Sequence, residues 1–380
     1  MARWIWNRPT WPALTFDATA LAAPVTRARL AFERVLARAD ALAPTDVART
    51  QRDLWTGDAV ATAAIEGETL PLVSVRSSVA RRLGLDPDTL AGTPRAVDGL
   101  LDVMENATAA WNEPLTDARL WRWEAALFPA GGTPLRTLEV GRYRTHLDPM
   151  QIVSGPLGRE TVHYQAPPSS AVPAEMATFL AWFEATRDGA LDGVLRAGLA
   201  HLRFESIHPF EDGNGRVGRA IADLALAQTA QRPTRLHGLS TELERQREAY
   251  YTALNDAQRG SGDVTGWLAW FVDTFEHACG RSLALVDESL TRARFWSEHR
   301  DVALNERQRK ALNLMLDAGP GRFDGGLTVR KYVGMTDASP ATASRDLADL
   351  VAKGLLVPGA AGGRSTYYDL AIPGWAWRPE

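Results

Sequence analysis

Cysteine is almost absent from this sequence. A single residue, Cys279, occurs among 380, so no disulfide can form within the chain and no metal site can be built from several cysteines. The residues around Cys279 follow an apolar helical pattern, which favours a small core residue over a nucleophile. One unpaired cysteine fits a reducing compartment, and we expect a cytoplasmic protein.

Long hydrophobic runs and a strong excess of one charge are also missing. No uninterrupted apolar stretch is long enough to span a membrane, and the N-terminus MARWIWNRPTWP lacks the apolar run of a signal peptide. We therefore expect no membrane partner. The formal net charge of −4 argues against a globally basic nucleic-acid protein, although a local basic patch stays possible.

Helical periodicity dominates what is present, so the sequence predicts a mainly α fold. The predicted helices at the start of the chain cover 26–43, 47–65, 73–83, 93–111 and 116–127, and long helices resume from Pro173. Between them, Met150–Val153 and Thr161–Tyr164 flank the glycine- and proline-containing segment Ser154–Glu160. This pattern predicts a β-hairpin.

The last part of the chain changes character near Asp301. Its patterns predict a helix over Asn305–Ala318, a short helix over Thr328–Val333, a turn over Gly334–Ser339 and a second helix over Ser339–Lys353. Alternating segments, Leu355–Val357 and Ser365–Leu370, then surround a glycine-rich turn as in a small hairpin. This order is that of a winged helix-turn-helix.

The most informative string is His208-Pro-Phe-Glu-Asp-Gly-Asn-Gly-Arg-Val-Gly-Arg219. Pro209 should end the helix 192–207, and helical periodicity restarts at Gly215. The glycine-containing loop between the helices can turn backbone N–H groups toward an anion, and the helix N-terminus that follows favours phosphate. Arg216 and Arg219 lie on one face of the first turns, where a bound anion would offset the unfavourable helix dipole.

Two further side chains of this string supply chemistry. Asp212 offers a hard carboxylate for Mg²⁺, which usually binds one or two carboxylates together with substrate phosphates. His208 titrates near neutrality and can accept a proton from a hydroxyl. The alternative for such a string is a glycine-rich inter-helix turn with a structural histidine.

The string closely resembles the signature of the Fic family, His-Pro-Phe-x-Asp/Glu-Gly-Asn-Gly-Arg-x-x-Arg. The segments Gly141–Arg144, Gln151–Gly155 and Val162–Pro168 resemble the family's flap hairpin and the residues leading into it. Arg3-Trp-Ile-Trp resembles an N-terminal helical region of a Fic subgroup. The similarity covers roughly residues 1–280. It implies an N-terminal helical region over 1–112 and a Fic catalytic core over 113–280. The patterns beyond it predict a helical linker over 281–300 and the winged helix over 301–380.

The resemblance implies a protein adenylyltransferase, which moves AMP from Mg-ATP to a Ser, Thr or Tyr hydroxyl of a protein, including itself. Its implied site residues have distinct roles. His208 is the general base, Asp212 holds Mg²⁺, Arg216 stabilises the phosphates and Arg219 pairs with the γ-phosphate. Gly213, Asn214 and Gly215 form the nest for the α- and β-phosphates.

Residues outside the string complete the implied nucleotide site. Tyr250 and Tyr251 resemble the family's adenine-contacting pair, with plain helix packing over 242–257 as the alternative. Gln258 stands where some relatives carry an Asn that contacts the nucleotide, so the nucleoside contacts depart from the pattern. The flap hairpin is expected to align an extended segment of the target by adding a strand.

Thr62-Ala-Ala-Ile-Glu66-Gly67 matches the Fic inhibitory pattern Ser/Thr-x-x-x-Glu-Gly/Asn. Glu66 near a helix C-terminus is disfavoured by the dipole, and Arg219 would compensate its charge. An arginine occupied by Glu66 cannot take the γ-phosphate. Thr62, one turn earlier on the same face, could orient the carboxylate or the core.

Two alternatives of other kinds stay open. One is a DNA-binding regulator whose Fic core senses nucleotide, with Ser339–Lys353 as recognition helix and Gly359–Arg364 as wing tip. Residues 301–380 carry ten Lys/Arg against nine Asp/Glu, which leaves few cations for DNA phosphates. Asp346 and Asp349 on that helix add to the objection. The other alternative is removal of AMP, with Glu66 positioning water. The winged helix could equally dock a protein target or a second copy of the chain, and a homodimer is also open.

Overall fold

Helices make up most of the structure, a computed structural model that describes residues 3–87, 92–133, 136–155, 159, 161–233, 235–359 and 366–377. The expectation of a mainly α fold is confirmed. The chain divides into two units, Met1–Ala284 and Leu285–Glu380. Among the described residues, no helix combines the length and apolarity needed to cross a bilayer.

The first unit is built mainly from helices. They are α1 (Ala18–Ala39), α2 (Pro44–Ile65), α3 (Leu72–Arg82), α4 (Arg95–Ala109), α5 (Asp117–Leu127), α6 (Val172–Ala185), α7 (Gly193–Ile207), α8 (Asn214–Ala230), α9 (Leu239–Arg245), α10 (Arg247–Arg259) and α11 (Thr265–Glu298), the last of which runs across the division between the units.

Two sequence-based boundaries in this unit were wrong. Helix α1 begins at Ala18 rather than Thr26, because the Asp17 side chain accepts hydrogen bonds from the backbone N–H groups of Thr19 and Ala20 and so caps the helix ahead of Pro24. The single helix predicted over 242–257 is two helices, α9 and α10, separated at Gln246. Apolar periodicity alone does not register such a break.

Helix α7 forms the centre of the first unit. Every residue from Val194 to Ile207 is buried, including four charged or titratable side chains, and α8 packs directly against it. A helix buried on all sides must satisfy its polar groups internally. This burial gives the segment after α7 a rigid base.

A β-hairpin lies beside the end of α7. Its strands β3 (Gln151–Ser154) and β4 (Thr161–Gln165) pair antiparallel with an irregularity between Ile152 and Val153. The predicted hairpin is therefore present, whereas residues 156–158 and 160 of its turn lie outside the described residues. Tyr164 anchors the hairpin, because its hydroxyl donates a 2.6 Å hydrogen bond to the Ser206 carbonyl of α7. A smaller pair, β1 (Gly132–Thr133) and β2 (Arg136–Thr137), precedes it.

The second unit follows the predicted order of elements. Its helices α12 (Glu306–Ala318), α13 (Val329–Thr336) and α14 (Pro340–Ala352) precede an antiparallel pair, β5 (Leu356–Pro358) and β6 (Tyr368–Leu370). Helix α13 runs to Thr336, so the predicted turn over Gly334–Ser339 begins too early. Residues 360–365, most of the predicted wing tip, lie outside the described residues.

Candidate active site

The backbone after α7 turns sharply at His208. Its φ of 51° and ψ of 60° place it in the left-handed region. Pro209 disfavours the right-handed helical conformation at the preceding residue, and the His208 N–H still bonds the Phe204 carbonyl at 2.9 Å. The helix thus ends where the sequence predicted, with His208 directed out of the helical path.

The loop from His208 to Gly213 is closed on itself by Asn214. The Asn214 side chain accepts a hydrogen bond from the Phe210 N–H and donates one to the Phe210 carbonyl, both at 2.9 Å. Gly213 has a φ of 81°, which disfavours any residue with a Cβ. Asn214 therefore shapes the loop with its side chain, and its contribution to an anion nest is limited to its backbone N–H.

His208 faces a cavity of about 530 Å³, lined also by Glu66, Gly215, Arg219 and the β3 residues Ile152–Ser154. Burial, and then the positive charge of Arg144, lower the pKa of the His208 imidazole to about 4. The described residues give its Nδ1 atom no hydrogen bond, and Glu205 Oε2 lies 3.8 Å away. The imidazole is therefore neutral near pH 7 and able to accept a proton.

Arg219 is held by the end of α2. Its Nη2 lies 2.7 Å from Glu66 Oε1 and donates a second bond to the Thr62 carbonyl at 3.0 Å, while its Nε donates to Thr62 Oγ1 at 2.7 Å. Only 3% of the Arg219 side chain is exposed, against 30% of Glu66. Burial works against the charge of Glu66, but Arg219 outweighs it and lowers the pKa of that carboxyl.

The predicted pairing of Glu66 with Arg219 is therefore present in the structure. Thr62 binds the arginine rather than the Glu66 carboxylate, which is the detail the spacing left undecided. Gly215 makes this approach possible, because a Cβ at that position would lie 2.0 Å from Glu66 Oε1.

A second carboxylate of the same segment, which the sequence reasoning missed, reaches Arg216. Glu68 Oε1 and Oε2 lie 3.1 and 3.2 Å from Arg216 Nη1. Helix α2 ends with Gly67 at a φ of 81°, and the Glu68 N–H returns to the Ala63 carbonyl at 3.0 Å. This helix-ending turn directs both carboxylates toward α8. An acidic residue directly after Glu-Gly was the available signal.

Asp212 stands at the exposed side of the loop. Its Oδ1 accepts the Gly213 N–H at 2.6 Å and lies 4.0 Å from Arg216 Nη2, and 45% of its side chain is exposed. The described residues contain no cluster of three or more His, Cys, Asp or Glu arranged for a metal. A Mg²⁺ ion bound by one carboxylate and substrate phosphates requires no such cluster, so Asp212 fits this form of binding.

The predicted nucleoside residues differ in their surroundings. Tyr250 is buried, and its hydroxyl lies 2.8 Å from His201 Nε2. Gln258 is also buried and donates a 3.3 Å bond to the Glu205 carbonyl. Tyr251 is partly exposed and donates to the Ile65 carbonyl at 3.0 Å, as does Arg247 at 2.8 Å. All three predicted residues line the cavity, and Tyr251 with Arg247 fixes the end of α2.

Two family models match parts of the first unit. Residues 114–226 match the Fic/DOC family model. The chain contains a Fic/DOC domain. Residues 4–85 match a second family model, a domain of unknown function named DUF4172. The resemblance drawn from the motif is thus confirmed for the domain that carries it.

Relatives of this Fic domain bear the name of an activity. A probable protein adenylyltransferase of Aquifex aeolicus is 35% identical over 98 residues, which are 26% of this chain and 28% of that protein. The protein adenylyltransferase Fic of Culex quinquefasciatus is 26% identical over 257 residues, 64% of this chain and 46% of that protein. The matches span less than half the length of either relative.

A solved structure shares the fold. A Fic family protein from Desulfovibrio desulfuricans G20 superposes with a TM-score of 0.52 at 21% sequence identity, covering 91% of this chain and 95% of that one. At this identity the likeness concerns the fold alone.

Proposed function

We propose that this protein transfers AMP from Mg-ATP to a Ser, Thr or Tyr hydroxyl of a protein, including itself, and that Glu66 holds the activity off. The observation that carries the proposal is the cavity in which a neutral His208 faces the N-terminus of α8 and Arg219. A base, an anion-binding helix end and a cation within one cavity match the needs of in-line transfer at phosphorus.

The chemical step balances with the residues present. The hydroxyl oxygen of the target attacks the α-phosphorus of ATP, and its proton passes to the imidazole of His208. The bond between the α-phosphorus and the oxygen bridging to the β-phosphate breaks, and pyrophosphate leaves. The target then carries AMP as a phosphodiester. The backbone N–H groups of the first turn of α8 and the Arg216 guanidinium would stabilise the developing charge.

Asp212 would hold Mg²⁺. The ion would supply charge neutralisation for the pyrophosphate group. The partly exposed carboxylate and its position beside the α8 N-terminus support this assignment.

The contacts of α2 support autoinhibition. Arg219 donates its Nε and Nη2 protons to Thr62 and Glu66, so a γ-phosphate must displace Glu66 to reach the guanidinium. Glu68 makes the same demand at Arg216. Productive binding of ATP would then require the end of α2 to withdraw.

The test uses labelled ATP. The full chain, Glu66→Gly and Glu66→Gly/His208→Ala are incubated with Mg²⁺, ATP labelled at the α-phosphate and cell lysate, and proteins are separated before detection. We expect weak labelling by the parent, strong labelling by Glu66→Gly and none by the double variant. Absence of label from folded Glu66→Gly in every lysate tried would contradict the proposal.

Removal of AMP is a second candidate, favoured by one observation. Glu66 lines the same cavity as His208 and keeps 30% of its side chain exposed, so its carboxylate could position a water molecule. Incubation of an AMP-modified protein with the parent and with Glu66→Gly separates the candidates. Release of AMP by the parent alone would favour removal.

DNA binding by the second unit is a further candidate. Asp346 and Asp349 lie on the predicted recognition helix, where negative charge opposes DNA, but both carboxylates bond to neighbouring elements. Asp346 Oδ2 accepts from the Tyr332 hydroxyl and from Arg307, each at 2.9 Å, and Asp349 accepts from Gln308. Ser344 and Arg345 of α14 are exposed instead. A gel shift on genomic fragments, compared with Arg345→Ala, tests this candidate.

A further inference from the structure

Arg144, in the segment between β2 and β3, is buried beneath the loop of the candidate site. Only 1% of it is exposed. Its Nε donates to the His208 carbonyl at 2.8 Å, its Nη2 to the carbonyls of Pro167 at 2.6 Å and Ile207 at 3.3 Å, and its Nη1 to Ser169 Oγ at 2.9 Å. The Arg144 backbone N–H also bonds the Pro209 carbonyl at 2.9 Å.

These bonds go to carbonyl and hydroxyl oxygens rather than to a carboxylate. Burial lowers the pKa of the Arg144 guanidinium to about 10, so the side chain still carries its charge near neutral pH. Carbonyls at the C-terminus of a helix lack partners within the helix and favour a cation. The last carbonyls of α7 therefore provide a suitable site for this arginine.

The acceptors lie on two sides of the candidate site. Ile207 and His208 form the end of α7, where His208 adopts its left-handed conformation. Pro167 and Ser169 follow β4, the second strand of the hairpin. One rigid guanidinium thus connects His208, the proposed general base, to the residues that follow the hairpin. The ammonium group of a lysine, on a flexible chain, cannot make the same set of hydrogen bonds.

We propose that Arg144 is a positioning residue for AMP transfer, fixing the backbone of His208 and the base of the hairpin in one arrangement. The inference rests on the proposed function. The charge of Arg144 has a second effect, since it lowers the pKa of His208 after burial has done so. A backbone hydrogen bond with Glu205 and the negative charge of Glu66 oppose that effect, and the Glu205 carboxyl, 3.8 Å from the imidazole, has its own pKa raised to about 8 by burial.

Two substitutions separate geometry from charge, both made in the Glu66→Gly chain. Arg144→Lys keeps the positive charge and loses the set of hydrogen bonds, whereas Arg144→Met loses both. We expect kcat to fall about 10- to 100-fold in each, as small misplacements of reacting groups produce, with KM for ATP changed less than about threefold. In the pH profile of kcat/KM, the acidic limb should shift to higher pH by about one unit in Arg144→Met only. Removing a nearby cation favours the protonated form of His208 and so raises its pKa.

Arg196, a buried arginine on α7, provides a matched control. It is also buried, 2% exposed, and donates to Thr186, Gln228 and the Phe183 carbonyl. Arg196→Met is expected to lower the melting temperature as Arg144→Met does, without moving the acidic limb. A limb that stays in place in Arg144→Met, or a kcat within twofold of the starting chain in both Arg144 variants, would overturn the proposal. If Arg144→Met does not fold, the kcat of Arg144→Lys decides.

A readout independent of activity keeps the two proposals apart. The pKa of His208 is measured by NMR titration of the imidazole, assigned with His208→Ala. We expect a higher value in Arg144→Met and an unchanged one in Arg144→Lys. If Glu66→Gly transfers no AMP, the proposed function fails, and an unmoved His208 titration in Arg144→Met still counts against Arg144 separately.

Discussion

The two ends of the His208–Arg219 segment differ in whether their functional side chains are already paired with other side chains of the protein. At the first end, His208 lines the cavity and 14% of its side chain is exposed. At the other end, Arg219 and Arg216 are paired with Glu66 and Glu68. The base is open to the cavity, whereas the two arginines that would bind phosphate already form ion pairs with glutamates.

This difference locates the proposed regulation. A brake at the phosphate end leaves the catalytic group intact and acts by competing with the substrate. It can be released by moving one helix end, without rebuilding the loop. The two pairs also differ from each other, because 30% of the Glu66 side chain is exposed against 48% of the Glu68 side chain, while both arginines are buried. Removing one partner of an exposed ion pair costs less than removing one partner of a buried pair.

Removing the base should have the largest effect. His208→Ala in the Glu66→Gly chain is expected to lower AMP transfer by at least about 10²- to 10⁴-fold, the usual loss with a general base. Initial rates with ATP labelled at the α-phosphate measure it. ATP binding by calorimetry, expected to change little, is the control. Normal AMP transfer by the variant would show that His208 is not the general base.

Opening the occupied end should have the next largest effect. Glu66→Gly is expected to raise auto-modification by roughly 5- to 150-fold, because Arg219 becomes available to phosphate. This is the range of fold-changes that typical coupling free energies produce. Time courses of label incorporation measure the effect. Glu33→Gly, an exposed glutamate on α1, serves as the control. Unchanged activity in a folded Glu66→Gly protein would remove the brake from the proposal.

Releasing the second arginine should have a smaller effect. Glu68→Gln is expected to raise auto-modification about 1.4- to fivefold, since exposed ion pairs contribute about 0.2–1 kcal/mol. Added to Glu66→Gly, it should increase activity further. A Glu68→Gln protein as inactive as the parent, together with no gain in the double variant, would assign the contact to packing alone.

The effect of pH should be the smallest. The pKa of Glu66 is lowered from 4.5, so its ion pair with Arg219 is fully present above about pH 4.5. The pair is lost only as pH falls through the lowered pKa. The pKa of His208, about 4, leaves the base unprotonated over the same range. The ratio of Glu66→Gly to parent activity is therefore expected to stay constant between about pH 5 and about pH 6.5, below the pKa of Glu205, which burial raises to about 8. A steep change within this interval would indicate another titrating group.

Several features of the site could be predicted because they depend on neighbours in sequence. Pro209 fixes where α7 ends, glycines mark the turn, and a spacing of three places Arg216 and Arg219 on one face. The pairing of Glu66 with Arg219, 153 positions apart, is different: the resemblance of Thr62–Gly67 to the Fic inhibitory pattern suggested it, together with the charge of Glu66 at a helix end. The break at Gln246 was missed because both halves, α9 and α10, carry helical periodicity.

Contacts distant in sequence were not predictable in the same way. The bonds of Glu68 to Arg216 and of Arg144 to His208 join residues 148 and 64 positions apart. Likewise, Asp346 on α14 counted as a surface charge in the sequence, and only packing brought it to Tyr332 and Arg307.

The sequence by itself determined which chemical groups stand together from His208 to Arg219, because Pro209, Gly213 and the start of α8 act over a few residues. Tertiary structure alone decided which partners those groups meet, because a buried arginine takes the acceptors that packing brings within reach. Those partners are the end of α2 for Arg216 and Arg219, and the end of α7 with the hairpin for Arg144.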